Sequence, residues 1–308
     1  MSEVKPLVAI HCLVYEHEPY LRDCFEGFVM QQTNFPFVAI VHDDASTDGS
    51  AAIICEYEQK YPHIFKPIYQ QENVYRKGGF SAINDIMNTA IEDTGAKYVA
   101  MCEGDDYWTD LLKLQKQVDF MEANPECSVC FHRYDIYDET NKQFRSDACG
   151  IYLNECDKNK GVTIDMFLRH WVTQPLTMMY RSGVNLGGDK KYTFYRDQHT
   201  IFHLLQAGKG ALLNFKAGVY REHCGGIHSK TSVESQCKIG VTIAKELYQK
   251  NGKTPVLKMN YLKYLDWGIY VFSGKSNDIA FDLICKRFFL SLSFKHLVKQ
   301  LFNLMRRA

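Results

Sequence analysis

Residues 97–106 read Lys-Tyr-Val-Ala-Met-Cys-Glu-Gly-Asp-Asp, an apolar run that ends in an acidic turn. A short, continuous apolar run of this kind is typical of a strand buried within a parallel sheet. Adjacent carboxylates repel each other unless a cation or hydrogen-bond donors offset their charge, so they rarely end a buried strand for structural reasons alone. The stretch therefore predicts a parallel sheet with an acidic site at one edge.

Strand and helix patterns alternate on both sides of this stretch. The alternation predicts an α/β fold with a doubly wound, mostly parallel sheet. The predicted strands cover residues 7–14, 37–41, 65–69, 97–102, 127–137, 176–180 and 211–220. The predicted helices cover residues 20–31, 50–61, 81–94, 111–123, 164–170, 197–207, 232–249 and 255–272. We expect a catalytic domain at residues 1–226 and a helical C-terminal extension at residues 227–308, with the boundary after a Gly-Gly pair.

Composition excludes some classes of protein. The chain has 308 residues, and its 36 basic and 36 acidic side chains give a formal net charge of zero, which argues against bulk binding of nucleic acid. The polar start at residues 1–6 has no signal-peptide pattern, and the 11 scattered cysteines fit reduced thiols. These features predict a cytoplasmic protein.

The C-terminal tail, residues 281–308, has a different character. Apolar residues recur at helical spacing, and the tail contains six basic residues but one acidic residue, Asp282. Such a helix can lie on an anionic membrane surface, which would place the protein peripherally at the inner face of the plasma membrane. It can equally pack on the rest of the chain and expose a solvated basic face. Both interpretations stay open on the sequence. The basic residues are Lys286, Arg287, Lys295, Lys299, Arg306 and Arg307.

Chemistry-bearing residues follow three of the predicted parallel strands. The pairs are Tyr15-Glu16, Asp43-Asp44 and Asp105-Asp106. Ligands of open α/β sheets bind outside the carboxyl ends of the strands, so these pairs are expected at one edge. Mg²⁺ and Mn²⁺ prefer oxygen ligands, and they usually bind through one or two carboxylates together with substrate phosphates. The acidic turn therefore predicts a divalent-metal site that shares its cation with phosphates.

The segment after the second strand, residues 43–49, reads Asp-Asp-Ala-Ser-Thr-Asp-Gly. Ser46 or Thr47 can cap the next helix, and Asp48 suits its first turn. Asp44 has no such structural explanation. We therefore interpret its carboxylate as an acceptor for a nucleobase N–H.

Taken together, these motifs resemble the family 2 glycosyltransferases of the GT-A fold. The resemblance covers about residues 6–226 and rests on residues 8–15, 42–49, 102–110 and the run Lys113-Leu-Gln-Lys-Gln117. It implies a nucleotide-diphospho-sugar donor, usually with uracil as the base, a Mn²⁺ or Mg²⁺ cofactor, and inversion at the anomeric carbon. It also implies a saccharide or lipid-linked saccharide acceptor and, most often, a role in bacterial surface polysaccharide synthesis.

The resemblance assigns roles at four matching positions. Tyr15 would stack on the base, and Asp44 would hydrogen-bond it. Asp105 would contact the ribose or the metal–phosphate assembly, and Asp106 would be the main metal ligand. The sequence departs from the family at Glu16, because this position more often carries Asn after Tyr.

Inverting transfer requires a base that takes the acceptor proton. The family places an acidic residue at the start of a helix in the second half, and Asp197 fits here. Its structural alternative is a helix-capping or first-turn acid. Asp189, in a Gly-Gly-Asp-Lys-Lys loop, is the second candidate.

Three further residues are candidates for the site. His223 lies in a Tyr-Arg-x-His segment that family members place near the donor phosphates, so it could bind the metal or a phosphate or be a loop histidine. Arg221 of that segment could simply pair with a carboxylate. Arg76 could face the base or the diphosphate, or lie in a solvated loop. Trp108 could stack on a sugar or pack its own loop.

Two other functions are considered. A nucleotidyltransferase usually has a Gly-rich, basic loop after its first strand, whereas residues 15–19 read Tyr-Glu-His-Glu-Pro. A catalytically silent nucleotide-sugar-binding protein would have a disrupted acid set. The acids at 44, 105, 106 and 197 are all present, which favours an enzyme.

Overall fold

The computed structural model describes residues 5–188, 191–226 and 231–307. The chain forms two compact units. The first comprises the residues up to Gly187 together with Tyr195–His223, and the second comprises Gly188–Phe194 and the residues from Cys224 onward. Asp189, the second candidate for the base, lies outside the described residues.

The first unit is built on a mixed, mostly parallel sheet of nine strands among the described residues, in the order β3-β2-β1-β4-β8-β6-β9-β5, with β7 paired to β6. Strands β1 to β4 run parallel, whereas β8 is antiparallel to both of its neighbours. The strands are β1 (Val8–Val14), β2 (Phe37–Asp43), β3 (Phe65–Tyr69), β4 (Tyr98–Met101), β5 (Tyr107–Trp108), β6 (Cys127–Asp138), β7 (Gln143–Ser146), β8 (Met179–Arg181) and β9 (Lys209–Glu222). The predicted doubly wound, mostly parallel sheet is confirmed.

Helices cover this sheet because each carries an apolar stripe. In α1, for example, Leu21, Cys24, Phe25 and Phe28 are fully buried at helical spacing. The helices of the first unit are α1 (Leu21–Val29), α2 (Ser50–Lys60), α3 (Val74–Thr94), α4 (Lys113–Ala123), α5 (Leu153–Asn159), α6 (Ile164–Arg169) and α7 (Asp197–Ala207). Helix α3 begins seven residues before the predicted start, and a non-helical residue, Gly79, divides it (φ 66°, ψ −168°).

The second unit contains a set of helices around its own apolar core. Ser232 and Thr254 cap two of them, and Pro255 occupies a first-turn position where its missing N–H costs nothing. The helices are α8 (Val233–Lys250), α9 (Pro255–Phe272), α10 (Asn277–Ser291) and α11 (Phe294–Arg307). Within the described residues, none of the helices combines the length and the hydropathy needed to cross a membrane.

Candidate active site

The loops that follow β1 and β2 are bound to each other by hydrogen bonds. Glu16 N–H donates to Ser46 Oγ at 3.0 Å, and the Glu16 carboxylate accepts from the N–H of Thr47 at 2.8 Å. Glu16 has a left-handed backbone with φ 58°. Asn adopts this conformation more readily than Glu, so the departure from the family costs some strain and gains a carboxylate that holds the second loop. The two loops thus form one wall of the site.

The prediction that Ser46 or Thr47 caps the helix after this loop is wrong. Helix α2 begins at Ser50, too late for Ser46 or Thr47 to cap it, and both side chains instead bond the first loop. Asp48 does support the helix start, because its Oδ1 accepts from Ser50 N–H at 2.9 Å. Its Oδ2 accepts from Glu18 N–H at 3.0 Å, so the same carboxylate also joins the loops.

Asp44 has a structural role that sequence reasoning missed. Its carboxylate is 3% exposed and accepts from the backbone N–H groups of Val74 at 2.6 Å and Tyr75 at 3.1 Å. These donors belong to the first turn of α3, whose N–H groups have no partner within the helix. Each carboxylate oxygen can accept a second hydrogen bond, so a base contact remains compatible with this role.

Tyr15 and Arg76 lie together at the opening beside Asp44. The Arg76 guanidinium donates to Tyr15 Oη at 3.2 Å, and the Tyr15 side chain is 37% exposed. An exposed ring held by a cationic neighbour can accept a base on its face. The structure therefore brings together Tyr15, Asp44 and Arg76, three of the residues that the sequence analysis proposes for donor binding.

Asp106 is the most buried acid of the acidic turn. It is 1% exposed, and its Oδ1 accepts from Arg221 N–H at 2.8 Å. Its Oδ2 is buried and has no hydrogen-bond partner among the described residues. Burial raises the pKa of the Asp106 carboxyl well above its usual range, and the neighbouring Asp105 carboxylate raises it further. A cation beside this oxygen would favour the ionised form of the carboxyl group.

Asp105 is held by two histidines. Its Oδ2 lies 3.1 Å from His223 Nε2 and 3.7 Å from His17 Nε2. Burial alone would raise the pKa of Asp105, but the two imidazoles lower it below its ordinary value. The structure thus places His223 next to the acidic turn and adds His17, which sequence reasoning did not select.

Arg221 fixes the geometry of this turn. Its Nε donates to the Asp105 carbonyl at 2.9 Å, and its two terminal nitrogens pair with Glu139 at 2.7 Å and Asp23 at 2.8 Å. A guanidinium with all of these partners is a positioning group. It holds the backbone of the two adjacent aspartates in a single arrangement.

The residues present fit a divalent cation. A buried carboxylate oxygen without a donor is costly unless a cation approaches it, and Asp106 Oδ2 is such an atom. The described residues contain no group of three or more His, Cys, Asp or Glu side chains arranged as a complete metal site. Mg²⁺ and Mn²⁺ at phosphate sites usually take one or two ligands from carboxylates and the rest from substrate phosphates and water.

Asp197 is the first residue of α7, but its side chain does not cap the helix. The residue before it, Arg196, is the cap, and its N–H donates to His199 Nδ1 at 3.2 Å. Burial raises the pKa of Asp197 to about 6, and the Arg196 guanidinium limits the rise. Such a carboxyl is ionised at neutral pH and can accept a proton.

Glu103 is the electrostatic neighbour of Asp197. Burial raises the pKa of Glu103 well above its usual range, and the charges of Asp197 and Asp105 raise it further. When two carboxyl groups repel each other, one ionises first and the other keeps its proton. With a pKa of about 6, Asp197 is ionised at neutral pH and is suited to act as a base.

Trp108 is buried, which contradicts the interpretation that it stacks on a sugar. Its side chain is 2% exposed, its Nε1 donates to the Leu176 carbonyl at 2.9 Å, and its ring lies 4.9 Å from the Phe28 ring. The Lys113 ammonium lies 3.6 Å from the centre of the ring. Trp108 lies in β5 and packs its buried ring against α1, so the ring is not exposed to stack on a sugar.

Solved structures of other proteins have a similar fold. TarS of S. aureus (residues 1–349, in complex with UDP-GlcNAc) has a TM-score of 0.64 at 17% identity, over 90% of this chain and 80% of that chain. The mannosyltransferase PcManGT from Pyrobaculum calidifontis, in complex with GDP-Man and Mn²⁺, has a TM-score of 0.55 at 14% identity, over 99% of this chain and 86% of that chain. The fold is that of the GT-A glycosyltransferases, with a helical C-terminal region.

The chain belongs to glycosyl transferase family 2, whose model matches residues 10–193. A protein of Mycobacterium tuberculosis (strain H37Rv) is 33% identical over 220 residues, which is 71% of this chain and 60% of the relative. TuaG of Bacillus subtilis (strain 168), whose name proposes a glycosyltransferase of teichuronic acid biosynthesis, is 32% identical over 136 residues, 44% of this chain and 50% of that protein. The chain thus spans less than two thirds of the length of these relatives.

Proposed function

We propose that the protein transfers a sugar from a nucleotide-diphospho-sugar, most simply a UDP-sugar, to an acceptor hydroxyl with inversion at the anomeric carbon. The observation that supports this most directly is the buried Oδ2 of Asp106, which has no hydrogen-bond partner in the described part of the chain. Asp106 follows β4, at the same sheet edge as the loops around Tyr15 and Asp44 that follow β1 and β2. In this proposal the base binds beside Tyr15 and Asp44, and the cation binds beside Asp106. A nucleoside diphosphate has a base at one end and two phosphoryl groups at the other, which matches these two positions.

In this proposal the site residues have separate roles. Tyr15, Asp44 and Arg76 bind the base. Asp106 would hold a Mn²⁺ or Mg²⁺ ion together with the donor phosphates, and the ion when bound neutralises the charge that builds on the departing diphosphate. His223, bonded to Asp105, would contact the ion or a donor phosphate. The resident Asp–His contact at 3.1 Å keeps Asp105 ionised.

Asp197 receives the proton in the chemical step. The acceptor oxygen forms a bond to the anomeric carbon while the bond from that carbon to the diphosphate oxygen breaks. The hydroxyl proton passes to the Asp197 carboxylate, and the diphosphate leaves with the electron pair. Attack from the face opposite the leaving group inverts the configuration. The pKa of about 6 makes Asp197 basic enough to accept the proton and largely ionised at pH 7.

The test is release of UDP or GDP from a donor panel in the presence of Mn²⁺ and of a chelator. Purified protein is incubated with UDP-Glc, UDP-Gal, UDP-GlcNAc and GDP-Man, with and without saccharide acceptors. We expect one UDP-sugar to be turned over, with Mn²⁺ raising the rate by at least about 100-fold over the chelated sample. Equal rates with chelator would contradict the metal-dependent reaction, and pyrophosphate-dependent formation of UTP would indicate a nucleotidyltransferase.

We also propose that the acceptor is a lipid-linked saccharide of surface polysaccharide synthesis and that the C-terminal tail contacts an anionic membrane. Helix α11 has an inner face, on which Leu297, Leu301 and Leu304 pack against the core of the second unit. A second apolar stripe with the same spacing is exposed, with Val298 52%, Phe302 48% and Met305 69% exposed. A helix that only packs on the second unit requires one apolar stripe, so the exposed stripe is not explained by that packing.

Positive charge accompanies the exposed stripe. Lys295, Lys299 and Arg306 lie on the same helix and form no ion pair within the described part of the chain. Two other basic residues of the tail are already paired, Arg287 with Asp266 and Lys286 with Asp282. An apolar stripe beside unpaired cations matches an anionic bilayer surface, where each basic side chain contributes about 1 kcal/mol.

We expect the variant Val298→Ser/Phe302→Ser/Met305→Ser to bind phosphatidylglycerol-containing vesicles at least about tenfold more weakly, because three apolar side chains no longer insert. Cosedimentation at low and high salt measures this. The control Phe144→Ser/Ile151→Ser removes two residues of the first unit that are 63% and 72% exposed, and it should bind as the parent does. Absence of vesicle binding by the unaltered chain, or equal binding by the triple variant, would contradict the membrane contact.

A further inference from the structure

The side chain of Arg196, immediately before the proposed base, is held at both terminal nitrogens. One donates to the Tyr195 carbonyl at 3.0 Å, and the other donates to the Tyr75 hydroxyl at 3.0 Å. The guanidinium carbon lies 5.9 Å from the centre of the Tyr75 ring. Arg196 is therefore held in place by a residue that is 121 positions away in the chain.

Tyr75 has a second attachment, at its backbone. Its N–H donates to the Asp44 carboxylate at 3.1 Å, next to the bond from Val74 N–H to the same carboxylate at 2.6 Å. The Asn73 side chain adds a bond to the Asp44 carbonyl at 3.1 Å. Tyr75 thus contacts the proposed base pocket through its backbone and the proposed catalytic helix through its hydroxyl.

The turn that carries Tyr75 is separated from the rest of α3. Gly79 has φ 66° and ψ −168°, a conformation that side-chain-bearing residues rarely adopt and that interrupts the helix. Residues 74–78 are therefore a separate turn, bonded to the Asp44 carboxylate through two N–H groups and to Arg196 through the Tyr75 hydroxyl.

We propose that Tyr75 and Arg196 are positioning residues, in which Tyr75 holds the Arg196 guanidinium beside Asp197 and links the nucleotide pocket to the proton-accepting group. This rests on the proposed function, in which Asp197 is the base. The Arg196 guanidinium, just before α7, lowers the pKa of Asp197, and the charge of Asp197 raises the pKa of Glu103, which follows β4. Loss of Arg196 therefore removes the positive charge that favours the ionised form of Asp197.

Four variants test the link: Tyr75→Phe, Arg196→Gln, the double variant, and Tyr69→Phe as a matched control. Tyr69 is 39% exposed, and its hydroxyl donates to Glu58 at 3.1 Å, away from the proposed site residues. We expect Arg196→Gln to lower kcat at pH 7 by about tenfold with little change in donor Kd, and Tyr75→Phe by several-fold. Because Tyr75 acts through Arg196, adding Tyr75→Phe to Arg196→Gln should have no further effect on kcat.

The pH dependence separates positioning from a merely structural role. Removal of the positive charge raises the pKa of Asp197, so the acidic limb of the kcat profile moves to higher pH in Arg196→Gln, and activity recovers partly as the pH rises. Tyr75→Phe should move it in the same direction by less. Tyr69→Phe should leave the limb where it is.

Titration of the Asp197 carboxyl carbon by ¹³C NMR, assigned with Asp197→Asn, gives the same answer without turnover. An unmoved Asp197 titration in Arg196→Gln, or multiplicative effects of the two substitutions on kcat, would overturn the proposed link. If the unaltered protein releases no nucleotide from any donor, the proposed function fails, and the NMR titration alone still decides whether Arg196 and Tyr75 control Asp197.

Discussion

Replacing Asp106 with Asn is expected to lower kcat for sugar transfer by at least about 1,000-fold and to remove the response to Mn²⁺. The reason is the buried Oδ2, which has no partner in the described structure and is the atom best placed to face a cation. Asn keeps an oxygen that can accept from Arg221 N–H, so the turn should retain its shape. Loss of a metal ligand that offsets charge on the leaving diphosphate corresponds to about 4 kcal/mol of transition-state stabilisation.

The stability of this variant provides an independent check. The pKa of Asp106 is raised in the folded protein, so ionising this buried carboxyl destabilises the fold increasingly as the pH rises above its ordinary, unfolded value. Without metal, Asp106→Asn should therefore be at least as stable as the parent at pH 7. Added Mn²⁺ with UDP should raise the Tm of the parent and leave that of the variant unchanged.

The matched control for this experiment is Asp119→Asn, which neutralises an exposed acid on α4 that accepts a hydrogen bond from Gln115. It should keep the parent's rate and its thermal response to Mn²⁺. If Asp106→Asn retains full activity and a normal Mn²⁺ response while folded by circular dichroism, Asp106 is not a metal ligand.

Replacing Asp197 with Asn is the second large expected effect, a fall in kcat of about 100- to 10,000-fold with little change in the Kd for the donor. A base contributes only when the proton moves, so its loss appears in turnover and not in donor binding. For the parent, kcat should fall as the pH decreases through about 6, because protonated Asp197 cannot accept the proton. The variant should lose this acidic limb.

Asp165→Asn is the control for an effect on helix starts. Asp165 lies in the first turn of α6, as Asp197 lies in that of α7, and it pairs with Arg169 at 2.9 Å. This variant should change stability slightly and leave kcat unaltered. Weakened donor binding with normal kcat in Asp197→Asn would place the base at another residue.

The sequence predicted those features that depend on the order of residues along a strand. Apolar runs followed by acids located β1, β2 and β4, and a parallel sheet brings their carboxyl ends to one edge whatever the loops do. For this reason the sequence alone predicts that the acidic turn and the Tyr15 and Asp44 loops lie at one edge of the sheet. The helix that begins at Asp197 is also predicted by the sequence, because its apolar residues recur at helical spacing.

The features that sequence reasoning missed depend on contacts between distant segments. Asp44 caps a helix that begins 30 residues later, and Trp108 is buried because β5 lies against α1 and pairs with β9. A polar residue beside a strand end does not reveal which backbone N–H it will meet. Arg221 could be recognised as a charge partner, but its contacts with Glu139 and Asp23 required the fold.

The most direct test of the central claim is electron–nuclear double resonance on Mn²⁺ bound to the protein in the presence of UDP. The account predicts ³¹P couplings from the diphosphate in the unaltered protein, and their loss or a change to the spectrum of free Mn²⁺–UDP in Asp106→Asn. Identical ³¹P-coupled spectra for the parent and Asp106→Asn, both distinct from free Mn²⁺–UDP, would show that the cation binds without this carboxylate.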